Sequence, residues 1–145
     1  MFTITLPFLM PPINISMNTI EQYTQELTDL TSRDQVLEYL IYLGESLPEF
    51  NSKNINKQTH VRGCQNNIWA TCQKETDRCY YNFHSDSKIV RGVCKILLDV
   101  YNSKTATEVT SISYYDFRNI ASLLTHERQR GMQAIINRIH RLAKS

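Results

Sequence analysis

Chemistry in this chain begins with a thiol. Cys64 follows Gly63 directly within His60-Val61-Arg62-Gly63-Cys64-Gln65-Asn66-Asn67-Ile68-Trp69, a run that ends on the only tryptophan of the sequence. Glycine permits a sharp backbone turn that a side chain forbids, so a cysteine placed there can be offered to a partner. Free cysteines are otherwise small core residues, which is the first account to give of Cys72, Cys79 and Cys94. Three kinds of chemistry are open to Cys64. A cysteine protease needs a histidine base, a group that orients it and an oxyanion hole, and the residues around Cys64 match neither the papain nor the caspase signature. A metal site would take His60 and Cys64 as ligands and call on distant His or Cys to complete it, but no C-x-x-C spacing supports one. Covalent sulfur chemistry by a lone thiolate needs only access and a leaving group on the partner's sulfur.

The elements that must hold this thiol are readable on either side of it. Thr19-Ile20-Glu21-Gln22 has the pattern of a capping box, followed by Ile20, Tyr23, Leu27 and Leu30 at helical spacing. Ser32-Arg33-Asp34-Gln35 starts a second helix with Val36, Leu40 and Leu43 on one face, and Gly44 is expected to stop it. Asn51 to Thr59 is a polar loop. Ile68, Ala70 and Cys72 alternate with Trp69, Thr71 and Gln73, which puts the two sets on opposite faces of a strand. Lys74 to Arg78 is expected to turn, and Cys79 to Phe83 to return as a strand rich in aromatics. Ser85-Asp86-Ser87 offers caps for the most apolar helix, from Ile89 to Tyr101, which should be central and should bury Cys94. Thr105-Ala106-Thr107-Glu108 is a third capping box. Phe117, Ile120 and Leu124 suggest a further helix, and Met132, Ile135, Ile136, Ile139 and Leu142 a last one whose polar side carries Arg138, Arg141 and Lys144 as a solvated face. Segregated strands and helices predict an α+β fold, a small antiparallel sheet of about three strands packed by several helices.

The bulk numbers set the frame. With 145 residues, the chain can bury a core without disulfide or metal staples. A net charge of +2 and the lack of a recognisable module argue against nucleic acid as a partner. Met1 to Pro12 is apolar, yet no Lys or Arg precedes Arg33, so the charged start of a signal peptide and the Arg-rich character of a transit peptide are both missing. The apolar run is too short to span a bilayer. Residues 1–16 are therefore read as a flexible extension, with Met17 as an alternative start, and residues 17–145 as one domain. The expected setting is the cytoplasm, with reduced thiols.

Four ordered blocks carry a resemblance. Val61 to Trp69 looks like the cysteine loop of the SufE/CsdE family of sulfur acceptors. Leu43-Gly44-Glu45-Ser46-Leu47-Pro48 fits the family's Leu-Gly-x-x-Leu-Pro pattern. Ser85 to Gly92 resembles its approach to a long buried helix, and Leu123 to Met132 resembles its final signature. The resemblance implies a protein that accepts sulfur from a cysteine desulfurase of the SufS/CsdA type and carries it as a persulfide on Cys64. It would stimulate the desulfurase and pass sulfur to an iron–sulfur scaffold complex. Pyridoxal phosphate would belong to the desulfurase, leaving this chain no cofactor or metal of its own. Arg62, Gly63, Gln65, Trp69, Asp86 and Arg128 are the implied loop and partner-contact residues. The chain departs from the pattern at Arg62, at His84 and at His126-Glu127, positions that bear on which desulfurase is recognised. Arg62, two residues from Cys64, is expected to lower its pKa if the segment is extended. The rival reading is a metal or cluster scaffold like IscU, which shares the implied fold but needs several convergent cysteines.

Overall fold

A computed structural model describes the backbone of residues 15–145 and the side chains of residues 19–145. The expected extension lies outside the described residues, except that Ile15 and Ser16 begin the first helix. The elements are α1 (Ile15–Thr28), α2 (Arg33–Glu45), β1 (Ile68–Glu75), β2 (Arg78–Ser85), α3 (Lys88–Tyr101), β3 (Lys104–Thr105), α4 (Ala106–Thr110), α5 (Arg118–Ala121) and α6 (His126–Lys144). Short 3-10 turns lie at Ser52–Asn54 and Tyr114–Phe117. The sheet is antiparallel in the order β1-β2-β3, so the α+β class with three strands is what the chain adopts.

Most helix starts follow from local hydrogen bonding. Ser32 accepts from the Gln35 amide, and Gln35 Oε1 accepts in return from the Thr31 amide at 2.8 Å. Ser87 accepts from the Val90 amide to start α3. Thr105 and Glu108 form the reciprocal box that opens α4, an arrangement that satisfies two otherwise orphaned donors. The box at Thr19 does not act as a start. α1 begins a turn earlier, at Ile15, because a capping motif permits a helix start without forbidding helix before it, and the buried Ile20 and Leu27 anchor the helix whichever turn it begins on.

Gly44 is the second correction. It does not stop α2; it lies buried within the helix, and a Cβ there would meet Arg91 Cβ and the Gly92 amide at 2.9 Å. At Gly92 of α3 the fit is tighter still, since a Cβ would fall 2.0 Å from the Leu40 carbonyl oxygen. These two glycines let the backbones of α2 and α3 touch where the helices cross, a close approach that only a missing side chain allows. α3 is the centre of the core, as its apolar pattern requires, with Ile96, Leu97, Val100 and Tyr101 fully buried. It packs on α2, on β2 and on α6, while α6 also packs on β1.

The hairpin is tighter than expected. Glu75 pairs with Arg78, leaving Thr76-Asp77 as the turn, with Thr76 at φ 62°. A two-residue hairpin needs positive φ at its first central residue to match strand twist. Cys72 and Cys79 flank this turn on adjacent strands, Cys79 buried and Cys72 half-buried, and Cys94 is fully buried on α3.

Candidate functional site

The cysteine loop runs between two short limbs that pair like strands. His60 bridges Trp69, the Val61 amide donates to the Ile68 carbonyl at 2.8 Å, and the Ala70 amide donates to the Thr59 carbonyl at 2.8 Å. Residues 62–67 are thereby closed into a loop. Val61 is buried beneath it, and Gly63 turns the chain at φ 93°, a left-handed conformation that L side chains rarely adopt.

Both ends of the loop are fastened by polar contacts. On the exit side the Asn67 carbonyl accepts from Ser85 Oγ at 2.7 Å, and Ser85 Oγ accepts from the Ser87 amide at 3.1 Å. Ser85 is 1% exposed, so these bonds are what make a buried hydroxyl tolerable there. Asn67 Nδ2 donates to Asp86 Oδ2 at 3.0 Å, and Asn67 Oδ1 lies 3.1 Å from His60 Nε2. On the entry side Arg138 of α6 reaches across the chain. Its Nη2 donates to the His60 carbonyl at 2.7 Å, and its Nη1 lies 3.4 Å from the Gln58 and Thr59 carbonyls. The solvated face expected of α6 therefore holds for Arg141 and Lys144 but not for Arg138, which is half-buried and acts as a loop anchor.

Cys64 is half-buried at the centre of this loop. Its thiol donates to the Gly131 carbonyl, with Sγ to O of 3.6 Å. Beside it is a cavity of about 10 Å³ lined by Val90, Val93, Met132 and Ile135 and, on its polar side, by Gln65, Glu127 and Arg128. Thr125 caps α6 and so fixes Arg128 in the first turn. Arg128 Nε is buried without a hydrogen-bond partner, an unusual state for a polar atom. Burial pushes the Cys64 thiol up to about 11, because a thiolate is poorly solvated there.

The expected influence of Arg62 is not found. Gly63 breaks the extended run, so alternation no longer places Arg62 beside Cys64. Arg62 is exposed and lines a separate groove with Gly63 and α6, and burial is the cause that acts on the thiol. Of the other implied residues, Gln65 and Asp86 are exposed near the loop and Arg128 lies in the cavity. Trp69 is on β1, its ring 5.6 Å from both His60 and His84, and His84 stacks in turn on Phe50 at 5.8 Å. Sequence reasoning missed Asn67, Ser85, Gly131 and Arg138, the residues that hold the loop and receive the thiol. Among the described residues, no three His, Cys, Asp or Glu side chains gather so as to hold a metal ion.

Fold and site together define an α+β domain that presents one cysteine on a fastened loop over a small apolar cavity. A family model described as SufE, an Fe–S metabolism associated domain, matches residues 21–143. The chain belongs to the SufE family. An uncharacterized SufE-like protein of Rhizobium meliloti (strain 1021) is 29% identical over 130 residues, covering 85% of this chain and 93% of that one. A SufE-like protein of Rhizobium etli is 26% identical over 135 residues, covering 88% and 91%. The solution structure of a hypothetical protein from Thermus thermophilus superposes with a TM-score of 0.71 over 94% of this chain and 96% of that one, at 16% identity. That likeness concerns the fold alone.

Proposed function

We propose that this protein is a sulfur carrier that accepts sulfane sulfur from a cysteine desulfurase onto Cys64, stimulates that desulfurase, and delivers the sulfur to iron–sulfur cluster assembly in the cytoplasm. The family's association with Fe–S metabolism supports the setting. The observation that carries the reading is the position of Cys64: on a loop tip, and turned over a cavity about large enough for one more atom.

In the transfer, the Cys64 thiol first loses its proton to solvent. The thiolate then attacks the outer sulfur of the donor's cysteine persulfide, a new S–S bond forms to Cys64 Sγ, and the donor's S–S bond breaks. The donor cysteine leaves with the electron pair as a thiolate. Sulfur oxidation states are exchanged between the partners, so no external oxidant is required. Burial covers the thiol and disfavours its thiolate, so the loop moves Cys64 outward to react, a gating step of the kind common in loop-covered sites. On return, the apolar wall of Val90, Val93 and Ile135 shields the outer sulfur from other thiols, and the unpartnered Arg128 Nε offers it a donor. The test is turnover of a cysteine desulfurase, read as alanine formed from cysteine. The protein is expected to accelerate it and Cys64→Ser to leave it at the basal rate; equal acceleration by both would refute the reading.

A further inference from the structure

Beside the loop, and not lined by Cys64, the fold builds a groove of about 620 Å³ whose walls carry Arg62 from the loop and Arg130, Arg138 and Arg141 from α6. Positions 130, 138 and 141 recur along one helix face, and Gln133 and Asn137 complete its floor. A charged helix face alone would be ordinary. Here a loop residue closes over it to make a concavity, and concave charge of one sign focuses the local field.

The four guanidiniums are not neutralised internally. Among the described residues the ion pairs are Arg78 with Glu108 and Lys95 with Asp99, neither in the groove. Arg62, Arg130 and Arg141 are exposed, and Arg138 spends its donors on backbone carbonyls. The Arg138 pKa is lowered from its usual value, by burial first and by the neighbouring Arg141 charge second, so the charge of Arg138 in particular would be favoured by an anion seated beside it.

We infer that this groove is a docking site for an acidic, Asp/Glu-rich segment of the protein that donates sulfur to Cys64. The partner chemistry follows from the lining. Guanidinium forks match carboxylates bidentately, whereas single-stranded nucleic acid is held by aromatic stacking platforms along a basic track, and no aromatic side chain lines this groove. Gly63 forms part of its wall, so a segment seated there touches the residue next to Cys64 and its binding is coupled to the loop. The identity of the segment's owner rests on the carrier reading; the anionic specificity does not.

The test uses the full chain in two arms. In the first, binding of a rhodamine-labelled polyglutamate peptide is followed by fluorescence anisotropy at low and high salt. Wild type is expected to bind with strong salt dependence. Arg130→Glu/Arg141→Glu is expected to bind about tenfold or more weakly, and Arg33→Glu/Lys53→Glu, exposed charges outside the groove, to bind as wild type. Both pairs are solvent-facing, and circular dichroism checks that they fold. Equal binding by the two double variants overturns the proposal, as does tighter capture of labelled oligothymidylate by the same arginines. In the second arm, the KM for the protein in desulfurase turnover is expected to rise about tenfold in Arg130→Glu/Arg141→Glu with little change in kcat. An unchanged KM overturns the assignment to the sulfur donor. Failure of wild type to accept sulfur at all would count against the carrier reading, leaving the peptide result to decide the groove.

Discussion

Removing Arg138 should wake the thiol. The guanidinium ties the entry limb to α6 through one good bond to the His60 carbonyl at 2.7 Å and two long ones at 3.4 Å. A hydrogen bond from a charged donor is worth about 1.5–3 kcal/mol, and about 1.4 kcal/mol is a factor of ten in population. Arg138→Ala is therefore expected to raise the population of the outward loop roughly ten- to hundredfold. As the thiol leaves its burial, its pKa falls from about 11 towards the ordinary 9.0. At about pH 8, below both values, that shift raises the thiolate fraction by up to about a hundredfold. The reacting species is the same outward thiolate in both proteins, so the net expectation is Cys64 alkylation about ten- to hundredfold faster than in wild type at that pH. The assay is iodoacetamide labelling across pH, quantified on the Cys64 peptide so that the half-buried Cys72, itself raised to about 11 by burial and by Cys79, does not contribute. The wild-type rate should climb until about pH 11 and the variant should level off at a lower pH. A wild-type midpoint near 9, or identical profiles for the two proteins, would refute the reasoning. Arg62→Ala serves as the control and should leave the wild-type midpoint where it is.

Other consequences are structural. Gly92→Ala should destabilise the fold by about 3 kcal/mol, or about 10 °C in Tm, because the new Cβ would sit 2.0 Å from the Leu40 carbonyl oxygen and backbone cannot yield as a side chain can; a thermal melt within a degree or two of wild type would contradict the helix crossing. Ser85→Ala should cost about 1–3 kcal/mol by leaving the Asn67 carbonyl without its donor, and hydrogen exchange should show faster opening of residues 62–67 than of β2. Gly63→Val should impair loop closure through its positive φ, seen as a drop in Cys64 sulfur loading larger than any loss in Tm.

How much of this could be read from the chain depends on the range of each interaction. The caps at Ser32, Ser87 and Thr105 and the alternation through Ile68 and Ala70 are written within a few residues, and those readings hold. So does the burial of Cys94, since an apolar pattern around α3 leaves it nowhere else to go. The roles of Gly44 and Gly92 were not legible, because periodicity says which face is apolar but not which two helices cross or how closely. Arg138 and His60 are far apart in sequence, and nothing local distinguishes a loop anchor from a solvated arginine. The same limit explains Arg62: its position two residues from Cys64 suggests proximity, and only the φ of Gly63 shows that the two side chains part company.

The central claim is that one cysteine of the four carries sulfur, and the most direct measurement is where a transferred atom ends up. The protein is mixed with a cysteine desulfurase and cysteine, alkylated, and resolved by intact mass and peptide mapping. The account predicts a gain of a single sulfur atom on the Cys64 peptide and none in Cys64→Ser. Sulfur on Cys72, Cys79 or Cys94 in place of Cys64, or a wild-type mass unchanged after desulfurase turnover, would contradict it.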